Sequence, residues 1–467
     1  MSFIRSFNYI LITITIILNV YIFTYPSLDT KQCSWNSKST YLQNSNPLVN
    51  YFKDLYSLYF GNLVPEDITS FEKELRLMAF GDPQIKGNWP STPYLKKLDT
   101  YGNDYYLGHI YKVMKNRLNP THVVALGDLF SSQWIGDSEF FNRTKRYVTR
   151  LYNQPEEHIV PILDYISKNE QVDWIEYSND LKSKNLEDFN WEYQEVFDWT
   201  TADYSKKFAK TPLFLNVSGN HDIGYSGDAT WQHMARYNKL FGKDNFWIEY
   251  NKGTPQAFRI VVLNSLLLEG PALQPEFLEY TWEFLYKLFE QRFKGSTILL
   301  THVPFYKKEG LCVDGPYHEY YNEETMKSEH YKNNLLRSQN HLSQDVTQRV
   351  LNLIFDESEK YPGIILTGHD HEGCESYYSL NNTDYSWYST SSKPRNQPFV
   401  KEITVRAMMG EYGGNTGLLT GKFSQARNQW DFHFSLCPFI IQHVWWFTKI
   451  ISIISLFTTS FIVIFNL

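Results

Sequence analysis

Asp82, Asp128, Asn220, His221, His302, His369 and His371 share one kind of position in this sequence. Each stands just after a short apolar run: "LRLMAFGD", "THVVALGD", "PLFLNVSGNH", "STILLTH" and "GIILTGHDH". Singly, such residues have ordinary explanations, because a strand-end Asp usually caps or turns the chain. Five run-ends in order, all offering oxygen or nitrogen lone pairs, form a candidate ligand set. Two divalent cations about 3.5–4 Å apart can clamp a phosphoryl group and activate a water between them. Such a pair needs a carboxylate shared between the cations, a role that suits Asp128. Neutral imidazoles and the Asn220 amide complete the shells without making the site too anionic for phosphate. His369 and His371 alternate along one segment and could reach different cations, with Gly368 allowing a close approach. His221 follows the ligand Asn220 and is free to face a leaving-group oxygen as a general acid.

Gln84 is the odd member. In "GDPQIKGNW" it stands two residues after Asp82, where an imidazole would complete the shell. Its amide oxygen is a harder, weaker ligand that favours manganese or magnesium over zinc. Two readings stay open: direct ligation, or holding a metal-bound water or Asp82 from outside the shell.

The elements that position these residues follow from the pattern. Runs of four to six large or β-branched apolar residues suit strands buried on both faces. Between them, Tyr105 to Leu118 places Leu107, Ile110, Tyr111, Met114 and Leu118 at helical spacing. Pro275 to Phe293 opens with a helix-starting proline, and Ser343 to Phe355 with a Ser cap. Strands alternating with helices predict a layered α/β fold whose ligands gather at the carboxyl ends of the strands. Residues 151–210, acidic and carrying Trp174, Trp191 and Trp199, break this rhythm. They read as an insertion, either a lid or a solvated helical elaboration.

The chain has 467 residues, 42% apolar and 17% aromatic, and a net charge of -7. No Lys/Arg block is present, which argues against nucleic acid as a partner. Phe7 to Tyr25 and Ile450 to Leu467 are uncharged and apolar. The first is long enough to cross a bilayer and lacks a clear cleavage site, so an uncleaved anchor is expected rather than a signal peptide. Trp445 and Trp446 suit an interfacial belt before the second span, and Lys449 can snorkel. The division expected is an anchor (1–27), a luminal stem (28–74), a main domain (75–436), and an interfacial segment with a second span (437–467). Sequons at Asn142, Asn216 and Asn381 hint that the body is luminal, Asn216 least because it borders a strand. Cys33 and Cys437 each flank a span, while Cys312 and Cys374 follow two of the motifs. Pairing them so is one of three connectivities, and free thiols are the alternative.

The series GD, GD, GNHD, a strand-end His and GHxH resembles that of the calcineurin-like metallophosphoesterases, and it spans Gly81 to His371. The resemblance implies a two-sheet α/β sandwich with flanking helices and a dimetal site. Carried over by position, Asp82 and His371 would bind the first metal and Asp128 would bridge. Asn220, His302 and His369 would bind the second, and His221 would be the acid. "GDPQI", "GNHDIG", "GHDHEGCE" and "EITVRAMMGEYGGNTG", between two spans, resemble a fungal branch of that superfamily. That branch removes ethanolamine phosphate from mannose of glycosylphosphatidylinositol (GPI) anchors in the endoplasmic reticulum (ER) membrane, which helps anchored cargo leave. The match is to the enzyme of the second mannose, with a sister group acting on the first. It implies manganese, a GPI glycolipid partner, cargo-receptor contacts, and an ER address with the Golgi as alternative. Two other readings remain: a phosphoesterase acting on another lipid, a nucleotide or a protein, and a non-catalytic cargo scaffold.

Overall fold

The structure is a computed structural model that describes residues 2–28, 33–35, 74–154, 156–168, 171–184, 186, 189–192, 212–322, 329–356, 360–381, 383, 385–395, 397–439 and 442–465. Most of the expected stem, and Trp199 of the insertion, lie outside the described residues.

In chain order the strands are β1 (Glu74–Phe80), β2 (His122–Leu126), β3 (Leu213–Val217), β4 (Phe246–Tyr250), β5 (Phe258–Val262), β6 (Ser296–Leu300) and β7 (His318–Tyr320). They continue as β8 (Leu336–Gln339), β9 (Ile364–Thr367), β10 (Cys374–Asn381), β11 (Ser386–Thr390), β12 (Val400–Thr404), β13 (Asn415–Ser424) and β14 (Gln429–Pro438). One large sheet has the order β14-β13-β1-β2-β3 and the other β11-β10-β12-β9-β6-β5-β4, while β7 and β8 pair as a separate two-stranded sheet. The five expected runs are β1, β2, β3, β6 and β9. They form the parallel cores β1-β2-β3 and β6-β9, which brings their carboxyl ends to one edge of each sheet.

Strand alternation builds two cores from the same residues. Leu77, Ala79, Val124, Leu126, Ile260, Ile298, Leu300 and Leu366 fill the space between the sheets. Their neighbours Met78, Phe80, Val123, Ala125, Val261, Leu299 and Ile365 face the helices outside. The helix Tyr94–Leu118 covers the first sheet through Leu107, Ile110, Tyr111 and Met114. Pro275–Glu290 and Gln344–Phe355 cover the second. Ser343 caps the latter by accepting from Val346 N. The helix expected from Tyr105 begins at Tyr94 instead, because the apolar residues of its first turns face outward and give no core-facing signal. The described part of the insertion packs on the flank of the body, with Trp191 buried against Tyr280 and Phe284.

The apolar ends form helices Ser2–Leu28 and Gln442–Phe465, with candidate spans Phe3–Thr24 and His443–Phe465. They pair along their length. Asn19 Nδ2 donates to Ser452 Oγ at 3.0 Å, and Thr458 Oγ1 donates to Asn8 Oδ1 at 2.9 Å. Such interhelical bonds are favoured where lipid offers no competing partner. Disulfides join Cys33 to Cys437, beside the inner ends of the spans, and Cys312 to Cys374. The body is seated on the helix ends as well, because Tyr106 Oη donates to the Ile22 carbonyl at 2.9 Å.

Gly108 sits where the helix Tyr94–Leu118 crosses the turn Tyr147–Leu151, and a Cβ there would lie 2.0 Å from the Arg150 carbonyl oxygen. Gly→Ala inside a helix ordinarily stabilises by about 1 kcal/mol. Here overpacking reverses the sign, so Gly108→Ala is expected to destabilise by about 1–3 kcal/mol. Thermal unfolding of the full chain in detergent checks this, and a raised melting temperature would contradict the contact.

Candidate metal centre

All the strand-end residues come together where the two sheets' carboxyl edges meet. The loops that carry them adopt a conformation that L-residues avoid. Asp82, Gln84, Asp128 and His369 have φ of 47°, 42°, 49° and 73°. Left-handed backbone costs roughly 1–2 kcal/mol at a non-glycine residue and persists only where the surroundings hold it. The hold is visible. Gln84 N donates to the Asp128 carbonyl at 2.9 Å, which clips the first loop to the second. His369 N donates to Asp82 Oδ1 at 3.0 Å, which ties the loop after β9 to the loop after β1. Asp222 Oδ2 accepts from Gly219 N at 2.8 Å and Leu129 N at 3.2 Å, and its Oδ1 accepts from Phe130 N at 3.1 Å. The third loop is thereby fixed to the second.

Asp128 lies at the middle. Its Oδ1 accepts from His221 N at 2.8 Å and is 3.4 Å from His302 Nε2. Its Oδ2 is 3.1 Å from Gln84 Nε2 and 3.6 Å from His221 Nε2. On one side, His371 Nε2 lies 3.1 Å from Asp82 Oδ2 and 3.3 Å from Gln84 Nε2. On the other, His302 Nε2 lies 3.0 Å from Asn220 Oδ1, and the His302 and His369 rings are 5.0 Å apart. Ligand atoms of Asp82, Asp128 and His302 fall within 4.8 Å of one another, all buried. Gly219 makes this approach possible, since a Cβ there would lie 2.0 Å from Asp128 N.

The donor chemistry fits a divalent cation. His302 Nδ1 is 2.7 Å from the Leu126 carbonyl, which can only accept, so Nδ1 carries the proton. That leaves Nε2 as the ring atom available to a metal, facing the Asn220 amide oxygen and the Asp128 carboxylate. Lone pairs packed so closely repel unless a cation lies among them. His369 is oriented in the same way, with Nε2 2.8 Å from the Gln339 carbonyl, leaving Nδ1 as the ligand atom. Burial, then the neighbouring His302, lower its pKa to about 4, so the ring is neutral at physiological pH. At Asp82, burial raises the carboxyl, but His371, His302 and the His369 N–H outweigh it and hold it below the usual carboxylate range. For Gln84, rotation about its last side-chain bond exchanges N–H and oxygen at one point. The oxygen therefore reaches the place that Nε2 occupies between Asp128 and His371.

The sequence motifs did not point to the carbonyls of Leu126 and Gln339, which set the two tautomers. A backbone carbonyl leaves no trace in residue type. Asp222 was visible as the last letter of GNHD, but its three N–H partners were not. Tyr412, from the "GEYGG" turn, stacks at a tilt 4.7 Å from the His371 ring.

No family model matches the chain. It is 50% identical to Protein TED1 of Saccharomyces cerevisiae, over 98% of each chain. An uncharacterized protein of Schizosaccharomyces pombe is 26% identical, over 78% of this chain and 73% of that one. Metallophosphoesterase 1 of Xenopus laevis is 25% identical, over 44% of this chain and 54% of its own.

Metal titration of the purified protein tests the geometry. Asp128→Ala is expected to lose both equivalents of manganese. Gln84→Ala is expected to weaken one equivalent by about 10–100-fold and spare the other. Two unchanged equivalents in Gln84→Ala would place the amide outside the ligand set.

Proposed function

Because this chain belongs to the calcineurin-like metallophosphoesterases and is a metal-dependent phosphoesterase, we propose that it cleaves ethanolamine phosphate from a mannose, the second, of GPI anchors. The observation that carries this reading is the pairing of the Asp82-Pro83-Gln84 variant site with two candidate spans joined to the same body. The variant and the arrangement both resemble the fungal branch that acts on anchor glycans. A body joined to two spans meets substrates that lie in the membrane.

The residues divide the work. Asp82, Gln84 and His371 would hold one cation, Asn220, His302 and His369 the other, and Asp128 would be shared. Bound there, two cations supply positive charge for the phosphoryl oxygens and a water activated for attack. Replacement of an imidazole by the Gln84 amide favours manganese or magnesium over zinc, and the resemblance selects manganese. The bond that breaks joins phosphorus to the mannose oxygen, and the bond that forms joins phosphorus to the water oxygen. A sugar alkoxide is a poor leaving group and needs a proton as it departs. His221 can deliver it: its backbone N–H to Asp128 fixes the residue, while its side chain is 37% exposed, more than those of His371 and His302, and keeps Nε2 3.6 Å from Asp128 Oδ2. His302 is buried and His369 half-buried, each is oriented by a carbonyl, and neither is free to do this.

On this reading the body lies in the ER lumen, and trimming of the glycan promotes exit of anchored proteins, with cargo-receptor contacts nearby. Support for the luminal side comes from the two disulfides, which form in oxidising compartments, and from exposed Asn142.

Incubating the full-length protein and manganese with a GPI-anchored protein, then measuring glycan mass, tests the proposal. Loss of one ethanolamine phosphate, localised to the second mannose, is expected. His221→Ala should keep its metal and slow this reaction by about 10²–10⁴-fold. An anchor glycan unchanged by active, metal-loaded enzyme would refute the substrate, and wild-type turnover by His221→Ala would refute the acid.

A further inference from the structure

The first turns of the helix Tyr94–Leu118 present an unusual outer face. Tyr94, Leu95, Leu98, Tyr101 and Tyr105 are exposed, Tyr94 by 74% and Leu95 by 79%. Tyr94, Leu98, Tyr101 and Tyr105 recur at spacings of four, three and four, so they form one stripe opposite the buried side. Such a stripe needs a reason, because water-facing helix turns are normally polar.

The stripe is continuous with the membrane anchors. One turn beyond Tyr105, His109 Nε2 lies 3.1 Å from the Phe23 carbonyl at the end of the first span. Tyr106 Oη reaches both the Ile22 and Phe439 carbonyls, and the Tyr106 ring packs 4.3 Å from Trp445. Phe23, Trp445 and Lys449, whose Nζ lies 4.0 Å from the Trp445 ring, mark where the spans leave the bilayer. Tyr94 is twelve residues from Tyr106, about 18 Å along the helix. Lys96 and Lys97 flank the stripe, and Lys112 continues its line. Arg150 stands over the Tyr101 and Tyr105 rings at 5.4 Å from each. Aromatic rings among basic groups, beside a span, are what a bilayer surface with anionic headgroups accepts. In sequence, the helix follows directly on the loop that starts at Asp82 and passes exposed Trp89.

We propose that the Tyr94–Tyr105 face is a membrane-seating surface: it lies in the headgroup layer of the same bilayer that the two spans cross and sets the metal centre's height above it. This rests on the two-pass reading of the terminal helices. Lipid-linked substrates would then meet the site at fixed depth, while soluble phosphodiesters would be indifferent to the surface.

Photo-crosslinking of the full chain in phosphatidylcholine–phosphatidylinositol nanodiscs tests it. Benzoylphenylalanine is placed separately at Leu95, at Phe461 in the second span, and at Tyr286 on the helix that covers the other sheet. Lipid adducts at Leu95 and Phe461 but not at Tyr286 are expected. Adducts at Phe461 without any at Leu95, or a Leu95 crosslink to a second copy or another protein, would overturn the proposal while leaving the spans intact. Absence of adducts at Phe461 would overturn the two-pass reading and this proposal with it. In a second arm, Tyr94→Ser/Leu95→Ser/Leu98→Ser/Tyr101→Ser should turn over soluble bis(p-nitrophenyl) phosphate as the parent does. Its hydrolysis of anchor glycolipid in the same nanodiscs should fall about tenfold. Equal retention of both activities would contradict a seating role.

Discussion

Everything in this molecule is arranged around a mutual repulsion. Two buried carboxylates, four imidazoles and two side-chain amides are brought within a few ångströms of one another. Among the described residues, the ion-pair partners of Asp82 and Asp128 are histidines. Carbonyl partners orient the rings of His302 and His369 and leave the opposite ring nitrogen of each for a metal. Such a group is costly to assemble in a dry interior unless a cation compensates it. The site is thus a folding problem whose solution is also its function, because the charge that reconciles the ligands is the charge that attracts a phosphate.

The sandwich exists to hold that assembly. No single strand could supply it. Three parallel strand-ends come from one sheet and two from the other; Gln84 N and Asp222 clip the three loops of the first sheet to one another, and His369 N ties the second sheet's loop to them across the gap. Those clips sustain left-handed backbone at four of the site positions. The close approach of loop to loop at Gly219 leaves no room for a side chain. The rigidity of the two apolar cores beneath lets strained loops keep their shape before metal arrives.

Much of this was legible in the sequence. Of the five parallel strands, β2, β6 and β9 are buried on both faces, which is why each reads as a short apolar run; β1 and β3 keep recognisable runs although both are buried only in part. All eight proposed site residues converge in space, including Gln84. What stayed hidden follows from what residue types can encode. Antiparallel β13 and β14 alternate or carry polar positions and gave no run. The early turns of the helix Tyr94–Leu118 face away from the core and fell outside a pattern that assumes core-facing apolar residues. The disulfide pairing was one option of three until the fold brought Cys33 to Cys437 and Cys312 to Cys374. Carbonyls that orient imidazoles have no sequence signature at all.

The paired spans, the disulfide beside them and the body's contacts with Ile22 and Phe439 make anchor and enzyme one unit. The central claim remains the shared cation pair at Asp128. Electron paramagnetic resonance of the manganese-loaded full chain tests it most directly. Two Mn(II) ions bridged by one carboxylate are expected to give a spin-coupled dinuclear spectrum that vanishes in Asp128→Ala. Uncoupled, mononuclear Mn(II) signals at saturating metal would contradict the account.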